Sequence, residues 1–368
     1  MRFTCERDEL SKALGAVSGV VAAKGIHPVY ESVEIVASQD GLEILGTDLE
    51  IGMRVRVPAG DTVRVEQPGT AVVPAQRLVA ICRELPRGGV TVAWNADHRE
   101  CVISAGRGRF KLQGQSPEDF PEIPTVDEAK SVVLAPAALR TLIRLTAFAA
   151  ARERMRYALN GVLVHVEGGM IECVATDGRR LARATAPVVS ASDADFQAIV
   201  PTKGLQQLDK ALGEGDTEVR IAVASNHVCG RTARTSVVSR LVEGSFPNYR
   251  DVIPQSCKQK AVIPRDTFAA ALKRAALVTS RDAQSVRLKF AANVLTVSAQ
   301  SADGSAEEFV ECDFQGPEET VGFNPEFLLE ALGVLTSETV QFEWNDRKSP
   351  GKLTEGDYVY VVMPVSLE

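Results

Sequence analysis

An α+β fold built as three tandem copies of one two-helix, multi-stranded unit is predicted by three observations. The first is a proline marker. Val73-Pro74-Ala75-Gln76-Arg77-Leu78 recurs as Val200-Pro201-Thr202-Lys203-Gly204-Leu205 and, more loosely, as Asn324-Pro325-Glu326-Phe327-Leu328-Leu329, with the prolines 127 and 124 residues apart. The second is Leu45-Gly46-Thr47-Asp48, matched by Val174-Ala175-Thr176-Asp177 and by Ser301-Ala302-Asp303 at separations of 129 and 126. Third, Phe120-Pro121 and Phe246-Pro247 lie 126 apart, each followed by a further proline, Pro124 or Pro254. A period near 125 divides the 368 residues into thirds, each of ordinary domain size (~100 to 200 residues).

The elements of each third come in one order. An opening strand leads into an amphipathic helix, expected over 7–20, 137–150 and 265–278. Alternating strands follow. A second helix, expected over 75–84, 202–212 and 325–335, begins at the marker proline, as suits a proline in a first helical turn. Short β-branched runs such as Val162-Leu163-Val164-His165-Val166 and Val359-Tyr360-Val361-Val362 read as strands. Two helices against many strands require the helices to cover one sheet face. Polar, proline-bearing connections at 120–130 and 254–260 place the domains at 1–125, 126–257 and 258–368.

Composition narrows the function. Hydrophobic residues at 45% and charged ones at 24% exclude disordered and collagen-like classes. Aromatics at 5% argue against a base-stacking surface, and a net charge of −7 argues, at first sight, against nucleic acid. Seven cysteines (Cys5, Cys82, Cys101, Cys173, Cys229, Cys257, Cys312) stand singly, an odd number without C-x-x-C, which fits reduced, buried thiols. The apolar run 13–23 follows Glu6, Asp8 and Glu9, an acidic lead wrong for export, and no window reaches the ~18 to 20 apolar residues of a span, so the cytoplasm is expected. His27, His98, His165 and His227 lie far apart without zinc spacing. There is no P-loop, no dinucleotide fingerprint and no nucleophile elbow, and Gly106-Arg107-Gly108 sits between short strands. No cofactor, metal or catalytic residue is therefore assigned.

Charge is unevenly distributed. Windows over the six expected helices (7–20, 75–84, 137–154, 202–212, 265–282, 325–336) sum to +5, leaving −12 elsewhere. Helix-favouring Lys and Arg account for this equally well, but a modest positive field also attracts a polyanion without reading bases.

Several motifs then carry a resemblance across the whole chain. Met1-Arg2-Phe3-Thr4-Cys5-Glu6-Arg7, Arg156-Tyr157-Ala158-Leu159-Asn160-Gly161, Ala175-Thr176-Asp177-Gly178-Arg179-Arg180-Leu181-Ala182, Glu243-Gly244-Ser245-Phe246-Pro247-Asn248-Tyr249 and Tyr360-Val361-Val362-Met363-Pro364-Val365 stand in order. Together they resemble the bacterial beta sliding clamps, the processivity subunits of the replicative DNA polymerase III. The resemblance implies two three-domain subunits closing head to tail into a ring, helices inside and sheets outside. Such a ring holds duplex DNA by topology and needs only weak, sequence-independent attraction.

The resemblance also implies three sets of residues. A hydrophobic peptide-binding pocket would draw Leu159, Thr176, Gly178, Arg179, Arg180 and Leu181 from the second domain, with Pro247 and Val252. The tail would add Val361, Val362, Met363, Pro364, Val365 and Leu367, although Val361 to Pro364 read alone is a terminal core strand. Polymerase, clamp loader and repair proteins would insert a short linear peptide there. Arg179 stands where the family commonly has His, Asp251 and Ser366 replace frequent basic residues, and Glu368 is an addition, which alters the rim charge. DNA contacts would involve Lys24, Arg156, Tyr157 and Lys203, with Gln76 and Glu153 at positions where some members have Arg and Gln. Each of these also reads as ordinary solvated surface. The homodimer interface would set Phe110, Leu112, Arg77, Arg107 and Arg109 against Leu277, Val278, Glu307 and Glu308 of a second copy. A specialised second clamp copy tolerating a pocket-filling inhibitor is the alternative within the resemblance. From another class, a three-domain hydrolase or transferase would converge its carboxylates from distant positions.

Overall fold

The computed structural model describes residues 1–22, 27–127, 131–152, 157–192, 195–224, 226–279, 285–302 and 304–367. It comprises two compact units. One contains Met1–Ala137, Val188–Ala194 and Lys203–Leu241; the other contains Ala138–Pro187, Asp195–Thr202 and Val242–Glu368. The middle third is thereby divided between the units, and the sheets explain why.

In the first unit a five-stranded sheet runs in the order Val63–Gln67, Arg2–Glu6, Gly89–Asn95, Glu100–Ala105, Gly108–Gln113. A nine-stranded sheet runs Ser190–Ser192, Ser131–Leu134, Val219–Ala224, His227–Arg231, Thr235–Arg240, then Ile51–Pro58, Gly41–Thr47, Ser32–Ser38, Gly69–Pro74. Its two halves come from successive thirds and join where Thr235–Arg240 pairs antiparallel with Ile51–Pro58, Arg54 opposite Ser236. The second unit repeats the device. Its eight-stranded sheet joins Arg180–Pro187 to Tyr358–Val362, Arg183 opposite Val359, and its four-stranded sheet runs Ser305–Glu311, Val294–Gln300, Val286–Ala291, Glu319–Phe323. The strands that would make a third joint, Gly108–Gln113 and Ser305–Glu311, each keep one edge unpaired among the described residues.

Among the described residues six helices accompany the sheets: α1 (Arg7–Ser18), α2 (Ala75–Glu84), α3 (Pro136–Thr146), α4 (Thr202–Ala211), α5 (Arg265–Ala276) and α6 (Pro325–Val334). Their apolar spacing makes them amphipathic. In α1 it is Leu10, Ala13, Leu14 and Val17 that are buried, in α2 Ala75, Leu78, Val79 and Cys82, and in α5 Phe268, Ala271, Leu272 and Ala275. α6 is capped by Asn324, whose side chain accepts from the Glu326 N–H at 2.9 Å.

Several helix ends fall short of expectation. α1 stops at Ser18, where the Gly19 and Val20 N–H groups turn back to the carbonyls three residues before them. α3 breaks at Thr146, whose φ of −122° leaves the helical range, and a 3-10 turn Ala147–Ala149 follows. Beyond α5, the N–H groups of Leu277, Val278 and Thr279 likewise bond to Arg274, Ala275 and Ala276. Pro74 and Pro201 end strands rather than occupying a first helical turn; Pro74, at ψ 116°, caps α2 from outside, and only Pro325 lies inside its helix. Over the observed helices the charges are 0, +1, +2, +1, +2 and −2, a net of +4 rather than +5, leaving −11 for the rest.

Candidate functional site

The second unit holds a cavity of about 250 Å³, and its geometry starts from one turn. Thr176 Oγ1 donates to the Arg180 carbonyl at 2.6 Å and accepts the Gly178 N–H at 3.1 Å. Asp177 Oδ1 accepts the N–H groups of Arg179 (2.9 Å) and Arg180 (3.0 Å). The chain passes through φ +87° at Gly178, where glycine is free of strain. The first third has the same turn: Thr47 and Asp48 make the same four bonds, but Leu49 sits at φ +77°.

Strand alternation from this turn sends Leu181 inward, and across the joint Leu181 pairs with Val361. Both are buried, in a cluster with Leu163, Val174, Ile199 and Tyr249. Leu159, Pro247, Asn248, Val252 and Met363 complete the walls, with Val252 44% and Met363 39% exposed at the mouth. The equivalent place in the first unit is plugged. Gly52 occupies the hairpin position of Leu181, and a Cβ there would lie 2.5 Å from Cγ2 of buried Ile123, the residue that corresponds to Tyr249.

Two ionic networks fix the walls. Tyr249 donates its hydroxyl to Glu172, which also receives Arg183 and lies 3.7 Å from Arg250. Burial, that hydrogen bond and the Glu172 charge push the tyrosine hydroxyl up to about 12. On the other side Arg180 Nε donates to Asp177 Oδ2 at 3.1 Å, Nη2 donates to the Phe148 carbonyl at 3.0 Å, and Nη1 donates to Glu330 of α6. Its guanidinium carbon lies 4.5 Å from the Phe327 ring centre and 5.5 Å from that of Phe148. Burial works against the charge, but the Glu330 hydrogen bond, with Tyr360, Glu330 and Asp177 nearby, holds Arg180 above the usual arginine range.

Of the expected pocket residues, Leu159, Thr176, Gly178, Arg179, Arg180 and Leu181 line the cavity, as do Pro247, Val252, Val361 and Met363. Val362, Pro364, Val365 and Leu367 are not among its lining residues. Val362 follows Val361 on the strand and so faces the opposite side, fully buried. The tail then turns onto the strand Glu319–Phe323, where the Val365 N–H bonds to the Gly322 carbonyl at 2.9 Å and Leu367 packs beside Gly322. Asn248 and Tyr249, outside the expected set, also line the cavity; the tie of Tyr249 to Glu172 spans 77 residues and leaves no mark in the local sequence.

The other expected residues lie elsewhere. Gln76 is exposed on α2, and exposed Lys203 of α4 is paired with Asp48. Lys24, Glu153 and Arg156, like the side chain of Tyr157, lie outside the described residues. Arg77, Arg107 and Arg109 are exposed, Phe110 is 41% exposed and Leu112 is buried on the free-edge strand Gly108–Gln113. Leu277 is 82% exposed and Val278 partly buried. Glu307 is exposed, whereas Glu308 is bound within the chain by Arg274 through two bonds of 2.8 and 2.7 Å. Phe309, absent from the expected set, is 67% exposed on the same edge strand. Among the described residues no group of three or more His, Cys, Asp or Glu is placed to hold a metal, and no helix is long and apolar enough to cross a membrane.

Comparison with known proteins agrees with this architecture. Three models of the DNA polymerase III beta subunit match in order: the N-terminal domain over residues 1–124, the central domain over 133–248 and the C-terminal domain over 250–366. A beta sliding clamp of Pseudomonas aeruginosa is 35% identical over 371 residues, covering all of both chains. Among solved structures, the sliding clamp of Bacillus subtilis superposes with a TM-score of 0.95 at 28% identity, covering 100% of both chains. That of Pseudomonas aeruginosa bound to griselimycin gives 0.94 at 34%, again over 100% of both.

Proposed function

The chain belongs to the DNA polymerase III beta subunit family of DNA sliding clamps, which are processivity factors rather than catalysts, and we propose that two copies close head to tail around duplex DNA. The observation that carries this reading is the pair of in-chain joints beside two matching free edges. Thr47 opposite Gly52, Thr176 opposite Leu181 and Gln300 opposite Ser305 are equivalent hairpin pairs, so Arg54, Arg183 and Glu307 share one position. Likewise Ser104–Arg109, Arg231–Ser236 and Thr354–Val359 are equivalent, so Arg109, Ser236 and Val359 share another. The chain joins Arg54 to Ser236 and Arg183 to Val359. The same rule sets Glu307 against Arg109 of a second copy, and Phe309 against Arg107. Opposite charges and an arginine beside an aromatic ring favour that register, and a heterologous joint that closes after two copies leaves neither of these two edges free.

In this reading Phe110, Leu112, Arg77, Leu277 and Val278 complete the seam, Glu308 supports it through Arg274, and the repeats divide at 1–125, 126–257 and 258–368. The helices, net +4 against −11 elsewhere, face the DNA with Gln76, Lys203, Lys24, Glu153, Arg156 and Tyr157 as weak contacts, so the ring slides in the cytoplasm without reading sequence. The Leu159–Met363 cavity takes the apolar side chains of a short peptide from the replicative polymerase, the clamp loader and repair proteins. Retention on nicked circular DNA that is lost when the circle is linearised tests the ring; equal retention on both forms would refute it. Binding of a Gln-Leu-x-Leu-Phe peptide tests the cavity.

A further inference from the structure

Arg180 poses a question that the pocket reading leaves open: why a cavity for apolar side chains has, besides exposed Arg179, a buried arginine in its wall. The side chain is only 4% exposed, and three of its N–H groups are spent on Asp177, Glu330 and the Phe148 carbonyl. Its planar face is stacked between the rings of Phe148 and Phe327. Glu330 gives its second oxygen to Arg152 Nη2 at 2.7 Å. Two arginines and two carboxylates, Arg152, Arg180, Asp177 and Glu330, thus form a cluster of zero net charge behind the cavity wall. A buried charge balanced in this way projects little field into the space beside it.

We propose that Glu330, on α6, is a specificity-determining residue for the pocket, acting through Arg180: it neutralises the guanidinium and turns it away, so that Arg180 adds no net charge to a wall whose rim already carries exposed Arg179, and acidic side chains gain no further attraction. The inference deepens the peptide-pocket reading and rests on it. Glu330 lines no part of that cavity and acts 150 residues from Arg180 in sequence.

Glu330→Gln keeps the shape and one hydrogen-bond acceptor but leaves the cluster at +1. A unit charge ~8 to 10 Å from a peptide carboxylate, at an effective dielectric of ~20, alters preference by about tenfold after salt screening. The test measures binding of a Gln-Leu-Ser-Leu-Phe peptide and of two counterparts with Glu at one or the other apolar anchor. Wild type binds the apolar peptide and discriminates against both others. In Glu330→Gln the discrimination narrows by about tenfold for at least one acidic peptide, and the narrowing disappears in 1 M salt. Glu330→Asp keeps the wild-type ratio, and adding Arg180→Met to Glu330→Gln restores it. Asp177→Asn, which retains the turn-capping oxygen, provides the same test should Glu330→Gln not fold. A ratio unchanged in both carboxylate variants, with all peptides weakened alike, would overturn the proposal and reduce Glu330 to a structural role. Failure of wild type to bind any of the peptides would instead remove the pocket reading itself.

Discussion

Replacing Phe309 with alanine gives the most direct measure of the proposed seam, because the side chain is idle in the isolated chain. It is 67% exposed, and an aromatic side chain of ~200 Å² therefore keeps ~130 Å² for a partner to cover. If the second copy covers two-thirds of that, at ~25 cal/mol per Å² the loss on truncation is about 2 kcal/mol per seam. A closed two-copy ring has two seams, and separating the copies opens both, so the dimer dissociation constant should weaken by about 4 kcal/mol, on the order of a thousandfold. Folding stability should hardly change. Sedimentation velocity across a dilution series reads the dissociation constant, and Val189→Ala, 69% exposed and on neither edge strand, serves as the control. A shift below about threefold for Phe309→Ala would refute the placement of Phe309 against Arg107 at this seam.

Four further outcomes are expected. Removing Met363 to Glu368 takes away the pairing of the Met363 N–H with the Arg179 carbonyl at 2.8 Å and one cavity wall, so peptide binding by calorimetry should vanish while the dimer still sediments as wild type. Ile123→Ala empties the buried plug over Gly52 and should cost about 2 to 4 kcal/mol in urea unfolding. Leu49→Gly relieves a left-handed, exposed leucine at φ +77° and should raise stability by about 0.5 to 1 kcal/mol by the same assay. Burial pushes Cys5, Cys101 and Cys173 up to about 12 and Cys82 up to about 11. Because the unfolded thiols ionise first, near ~8.5, stability should be fully present below that pH and fall steadily from there toward pH 11; Cys173→Ala should flatten the decline in pH-dependent unfolding curves.

Much of the architecture was legible because it rests on local chemistry. The marker prolines sit where a strand turns into a helix, so their spacing exposed the threefold repeat, and the x, x+3, x+4, x+7 apolar pattern located the helices. Where the apolar period runs on past the helix, at Ser18, Thr146 and Ala276, the terminating feature is a tightening of hydrogen bonds that side-chain periodicity does not record. Long-range pairings were illegible for a different reason. That Glu308 is held by Arg274 follows from α5 lying on its strand, that Tyr249 is held by Glu172 follows from the 3-10 turn Tyr249–Val252 packing on the sheet that carries Glu172, and neither can be read from spacing. Phe309 looked like any strand residue until its strand proved to be an edge. Most of the residues expected at the cavity lie in contiguous sequence motifs and do line it, whereas Val362 faces away from it by simple strand alternation.

Ile123 bears on how partners share the molecule. In the proposed ring, Ile123 fills the first joint and the second is left open, so among the described residues each chain would offer one such berth and the two-copy ring two. Two berths on one body change exchange from a search into a hand-over: a protein held at one lies at an effective concentration of about millimolar relative to its neighbour's partner site. A weak peptide contact then suffices at each berth, and an occupant that lets go is replaced by one already tethered. In that reading Ile123, packed over Gly52, keeps the first joint from serving as a further berth.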